Sequence, residues 1–355
     1  MKATLHRHAT GLGAVVGLLV ALSFTSPVQA APRELKILIW PDYLDPTVVQ
    51  DFEKQHNAEL KQFYFASDDN RNEIVQENGA QGYDLVLIDG PTITYYVKRG
   101  WLAPLDDRTI PHRSAVSAKW SALYPDAPDY AVPYLWGTLG IAYREDLIKG
   151  PITRWQDLFT PAPELHHKIA MLDSSRDLVG AALKALGYSL NSENATELKE
   201  AEKLLVQQRP FVKEYSYVSL GAQSALQTGE VVAAMVFNGD ALTLNKVNEH
   251  IRYVVPQEGC SLWVDFLAIT ASSPNKDLAA AFIDFINIPE VAARQAQALS
   301  FATPNTAAEQ QLPPEFIHNP QIYPPQAILD KSETYKIVSP RAMKKRQEIF
   351  SHVAQ

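Results

Sequence analysis

Apolar positions along the chain recur with two periods, and their alternation divides it into short strands and helices. Residues 35–40, 60–65 and 83–88 are apolar runs of strand length, bounded by Pro, Gly and Asp. Between the first two, Val48, Val49 and Phe52 recur at helical spacing and predict a helix over 46–56. A further short helix begins over 72–77. Strands alternating with helices at these lengths predict a parallel sheet covered by helices. In such sheets ligands sit beyond the carboxyl ends of the strands. Trp40, Tyr43 and Asp89 fall at such ends. Each has a plainer alternative: packing for the two rings, and a turn residue before Gly90 for Asp89.

The pattern then changes. Residues 130–143 form a long apolar run with Gly137 and Gly140 inside it, which marks a bend or a close backbone approach and a crossing between domains. Residues 169–172 read as a strand. Asp173 or Ser174 suits the N-cap of a helix over 176–186, with Asp177 in its first turn, where the helix dipole favours a negative charge. The clearest helix covers 194–208, with Leu198, Ala201, Leu204 and Leu205 on one face. A strand over 231–237 ends in Phe237-Asn238-Gly239-Asp240, again with an acid just past its carboxyl end. A strand over 251–255 follows, then helices over 277–286 and 289–298, and a basic helix over 341–352.

One strand draws the candidate chemistry together. Residues 259–269 carry Trp263 and Asp265 two positions apart, so both point to one face. A carboxylate in so apolar a strand must be paired or solvated. A flat indole beside it suits an organic cation, whose charge is attracted to the ring face and whose N–H groups donate to the acid. The plainer alternative is a core Trp beside an exposed Asp at a strand end.

Composition narrows the classes. The formal charge of −8 becomes −10 if residues 1–30, which carry Lys2 and Arg7 and no acid, are removed. A negative chain argues against nucleic acid and favours cationic ligands. A single cysteine, Cys260, rules out an internal disulfide and any cysteine metal cluster. Residues 1–30 read as a cleaved signal peptide: a charged start, an apolar run over 11–22 and Val28-Gln29-Ala30 before the cut. The run holds no cysteine for a lipid anchor. The mature chain is then an exported periplasmic protein of a Gram-negative type, and its size suggests about two domains. No HExxH, GxSxG or Walker loop is present. His166 and His167 are adjacent and face different ways, which makes a poor metal site.

Seven stretches, in order along the mature chain, carry a resemblance. They are Ile39-Trp40-Pro41-Asp42-Tyr43, Tyr83-Asp84-Leu85-Val86, Val132-Pro133-Tyr134-Leu135-Trp136-Gly137, Asp173-Ser174-Ser175-Arg176-Asp177, Phe237-Asn238-Gly239-Asp240, Trp263 to Ile269, and Ala302-Thr303-Pro304-Asn305. Together they make the chain resemble the periplasmic spermidine/putrescine-binding proteins of polyamine ABC transporters, within the family 1 solute-binding proteins. The resemblance implies an α/β type II periplasmic binding protein of two lobes, each a mixed sheet flanked by helices and joined by crossing strands. The implied lobes are 31–138 with 264–325, and 139–263 with 326–355.

It also implies a cleft site. Trp40 and Tyr43 wall it, Trp263 and Asp265 grip an amine, and Ser174 with Asp177 stands where the family holds another. Asp177 is one methylene shorter than the usual Glu. Asp240 matches the acid of the putrescine-type members. Phe237 replaces a common Trp, Phe301 a common Tyr, and Tyr335 stands where a polar residue often sits. Asp89-Gly90-Pro91 replaces a Ser-rich turn, and an extra acid there suits a further amine, hence a triamine such as spermidine or norspermidine. The expected function is periplasmic polyamine binding for an ABC permease, by a monomer with no cofactor and no metal. The alternatives are a polyamine sensor that docks on a membrane signalling receptor and, from another class, an amine-processing enzyme.

Overall fold

The computed structural model describes residues 31–354, and the expected signal peptide at 1–30 lies outside them. The chain opens with β1 (Arg33–Ile39), α1 (Pro46–His56), β2 (Ala58–Tyr64), α2 (Asp68–Asn78), β3 (Leu85–Asp89) and α3 (Gly90–Lys98). Local chemistry sets α1 at both ends. The Asp45 side chain accepts from Thr47 N–H at 2.8 Å, Pro46 takes the first turn, and Asn57 closes it in the left-handed region. Val48, Val49 and Phe52 form its buried face. β1 pairs in parallel with β2 and with β3, each reached through a helix, as parallel strands require a crossover connection.

The middle of the chain holds β4 (Ala131–Arg144), β5 (Ile169–Met171), α4 (Ser175–Ala185), α5 (Ala195–Gln208), β6 (Val212–Tyr215), β7 (Ala233–Phe237), α6 (Asn238–Val247) and β8 (Ile251–Val254). The last part adds β9 (Ser261–Ile269), α7 (Lys276–Ile286), α8 (Pro289–Leu299), β10 (Glu333–Thr334) and α9 (Pro340–Val353). Pairing runs β2-β1-β3-β9-β4-β7-β5-β6, with β10 beside β9 and β8 beside β4.

β4 is the long connecting strand. Its residues 131–138 pair antiparallel with β9, and its residues 139–143 pair with β7. Two of the three apolar clusters among the described residues flank this hand-over. One gathers Leu35, Phe52, Leu135, Phe266 and Phe282. The other gathers Leu139, Trp155, Leu178, Leu205 and, from the closing helix, Ile349 and Val353. β3 pairs with β9 over Leu85–Asp89, so residues near the start of the chain share a sheet with residues after Asp265. No helix among the described residues is long and apolar enough to cross a membrane.

Candidate functional site

The carboxyl ends of β3 and β7, the turn after β1 and the middle of β9 bring most of the candidate side chains together. Within β9 only Trp263 and Asp265 keep partial exposure; they share one face of the strand, whose later positions Leu267 and Ile269 are buried in the core. A chain of rings joins the candidates. Trp263 meets Phe237 at 6.0 Å and Phe301 at 4.9 Å between centroids, both edge to face. Phe301 meets Tyr43 at 5.7 Å, and Phe237 meets Tyr217 at 5.9 Å. Trp40 packs on Phe65 at 4.2 Å.

Two glycines make this packing possible. A Cβ on Gly239 would lie 2.5 Å from the Phe301 ring, and one on Gly137 would lie 2.5 Å from Trp263 Cζ2 and overlap Asn238 Oδ1. Asn238 Oδ1 in turn accepts from Thr138 N–H at 3.1 Å, fixing the start of α6 against β4.

An acid stands at each end of the ring chain. The Tyr217 hydroxyl donates to Asp240. The Tyr43 hydroxyl faces Asp265, and burial followed by that charge holds the hydroxyl protonated. Burial pushes the Asp265 carboxyl up to about 8, with the nearby Asp68 charge adding to the effect. Burial likewise pushes Asp240 up to about 6, against the Tyr217 hydrogen bond. Neither acid touches a cationic side chain among the described residues. A carboxylate set among rings without a counter-ion is unfavourable by itself and suited to a cation that arrives from outside.

Asp89 is different. It caps no backbone group of α3; its carboxylate meets Arg71 at 2.8 Å and Arg176 at 2.7 Å. Burial alone would raise its pKa, but the two guanidiniums outweigh it and hold it at about 2. Asp89 does stand at the turn before Gly90, but its carboxylate is paired with two arginines of the protein and is not an acid free for a further amine. Asp68 also meets both arginines, at 2.6 and 2.7 Å. The four side chains therefore form a closed ring in which acid and cation alternate.

Asp177 lies at the start of α4. It accepts from the Ser174 hydroxyl at 2.7 Å while that oxygen accepts from the Asp177 N–H at 3.3 Å, a reciprocal cap. The Tyr335 ring lies under the Arg176 guanidinium, 4.7 Å from its centroid. The apolar pattern of the sequence does not single out Arg71, Arg176, Asp68 or Tyr217. Arg176 stands within Asp173-Ser174-Ser175-Arg176-Asp177, and a cation between two acids just past a strand's carboxyl end is the available signal. Asp68, Arg71 and Tyr217 lie in polar segments with no comparable mark.

The fold is that of a two-lobed type II periplasmic binding protein. The sequence model for bacterial extracellular solute-binding proteins matches residues 47–324, and the chain belongs to that family. It is 29% identical over 327 residues to the norspermidine sensor of Vibrio cholerae serotype O1, covering 92% of this chain and 90% of that protein. It is 29% identical over 352 residues to the putrescine-binding periplasmic protein SpuD of Pseudomonas aeruginosa, covering 90% and 92%. Among solved structures, the spermidine/putrescine substrate-binding protein PotD of Streptococcus pneumoniae superposes with a TM-score of 0.78 at 27% identity, over 91% of this chain and 100% of that one.

Proposed function

We propose that this protein binds an aliphatic polyamine reversibly in the periplasm and hands it to an ABC permease. The observation that carries this reading is Asp265: a carboxylate without a cationic partner, beside the edge-to-face rings of Trp263 and Phe301. An ammonium supplies the missing charge, and the rings cover methylenes. Charge-assisted hydrogen bonds contribute about 1.5–3 kcal/mol each. Two such ends contribute about 3–6 kcal/mol, and burial of the methylenes against the rings must supply the remainder of the roughly −8 kcal/mol that micromolar affinity requires, beyond the cost of association. The name of the Pseudomonas relative supports the ligand class, and the ABC transporter named for the Streptococcus structure supports the transport role.

The site comprises Asp265 and Asp240 as amine acceptors and Trp40, Tyr43, Phe237, Trp263 and Phe301 as walls. Ser174, Asp177 and Tyr335 border it, and Asp89 serves it through Arg176. The two cores and the hand-over along β4 support lobes of 31–138 with 264–325, and 139–263 with 326–355. Binding is non-catalytic and closes the lobes by a hinge motion. The Vibrio cholerae relative, a norspermidine sensor, supports a second reading in which the loaded protein docks on a membrane receptor. Calorimetric titration with putrescine, cadaverine, spermidine, norspermidine and spermine, against neutral sugars and amino acids, tests the first claim. Saturable binding confined to the amines is expected; binding of none of them overturns it.

A further inference from the structure

The ring of Asp68, Arg71, Asp89 and Arg176 is electrically complete. Each acid meets both arginines at 2.6–2.8 Å, so two negative charges face two positive ones. The two arginines differ in origin. Arg71 belongs to α2, is 1% exposed, and sits in the same core layer as the two acids. Arg176 reaches over from the start of α4, beside the other core, and keeps its ring contact with Tyr335. Its guanidinium therefore has what an amine of the ligand would have in this part of the site: two carboxylate oxygens and an aromatic face. Asp177 makes no ion pair either, but it is hydrogen-bonded by Ser174 at the start of α4 and lies within the field of the Arg176 charge, so the acids that face the ring chain away from any guanidinium are Asp240 and Asp265.

We propose that Arg176 is a resident cation that occupies one amine position of the site, so that the protein selects diamines over triamines. This rests on the polyamine reading. A diamine brings one ammonium for Asp240 and one for Asp265, with its methylenes across the rings between them. A triamine brings a third ammonium to a neutral quartet, where it meets the Arg176 guanidinium and loses its water without gaining a free carboxylate. Removing the guanidinium leaves two carboxylates against Arg71 alone, a net negative pocket that a third ammonium can fill.

The test is calorimetric titration of the mature protein, Arg176→Ala and Arg176→Lys with putrescine and spermidine. Wild type is expected to bind putrescine at least about tenfold more tightly than spermidine, and Arg176→Ala to shift that ratio towards spermidine by about tenfold or more. Arg176→Lys keeps a cation and is expected to keep the wild-type preference, which a merely structural role of Arg176 does not require. Wild type binding spermidine as tightly as putrescine overturns the inference and leaves polyamine binding standing. A folded Arg176→Ala with an unchanged ratio does the same. No binding of either amine by wild type overturns both. The wild-type ratio and the lysine variant decide the matter without the alanine variant if that variant fails to fold.

Discussion

Asp89 and Asp265 stand directly opposite each other on the antiparallel strands β3 and β9. Like charges in that register repel. The protein resolves the conflict unequally: Asp89 is given two arginines and stays ionised, while Asp265 is given none and holds a proton up to about pH 8. An ammonium that binds Asp265 must then displace that proton.

Binding is therefore expected to be linked to pH. At pH 7 the ligand-free Asp265 is largely protonated, so each binding event releases close to one proton, measurable by titration in buffers of different ionisation enthalpy. Affinity rises from pH 6 to pH 8, by up to about tenfold per unit, and then levels. Stability of the ligand-free protein runs the other way. Asp265 titrates near 3.8 in the unfolded chain and near 8 in the folded one, so the folded state binds more protons between those values and its stability falls as pH rises through them. Proton uptake on binding, or none, contradicts the assignment.

Asp89→Ala is expected to act on the fold. Arg71, 1% exposed, loses one of its two carboxylates, and breaking a buried pair in this way costs on the order of 3 kcal/mol. Denaturant unfolding measures it. A variant as stable as wild type would show that the quartet contributes little.

Much of this was legible in the chain, for local reasons. α1 carries its own start and stop in Asp45, Pro46 and Asn57, and its expected span agrees with the one observed. The shared face of Trp263 and Asp265 follows from strand alternation, although Leu267 and Ile269 on that face are buried. The quartet was not legible, because its members come from α2, β3 and α4, and Arg176 meets Asp89 from 87 residues away. A pattern of apolar periods reports which face is buried, and it carries no information on which distant charge will meet another there. From the pattern alone, Asp89 reads as a turn residue or a free acid.

Tyr217→Phe removes the hydroxyl that donates to Asp240. That hydrogen bond opposes the effect of burial, so its loss raises the Asp240 pKa further above about 6. Polyamine affinity is expected to fall below pH 7 and to approach wild type at higher pH. An equal loss at every pH would point to packing instead.

Gly137→Ala places a methyl group 2.5 Å from the Trp263 ring and onto Asn238 Oδ1. Overpacking of this kind costs about 1–3 kcal/mol. Because the Trp263 indole is one of the two groups that must move, with the Asn238 amide, polyamine affinity is expected to fall along with melting temperature. Unchanged affinity would remove Trp263 from the binding face.

The most direct test of the whole account is Asp265→Asn, assayed by calorimetry with putrescine at pH 8, alongside a thermal melt. The substitution keeps size and removes the charge that an ammonium needs. Loss of one partner of a buried charge pair costs about 3–5 kcal/mol, so affinity is expected to fall by two to three decades or more. The fold is expected to hold, because the wild-type carboxyl is already neutral over much of the pH range in which the protein is folded. A folded variant that binds putrescine within twofold of wild type would contradict the account.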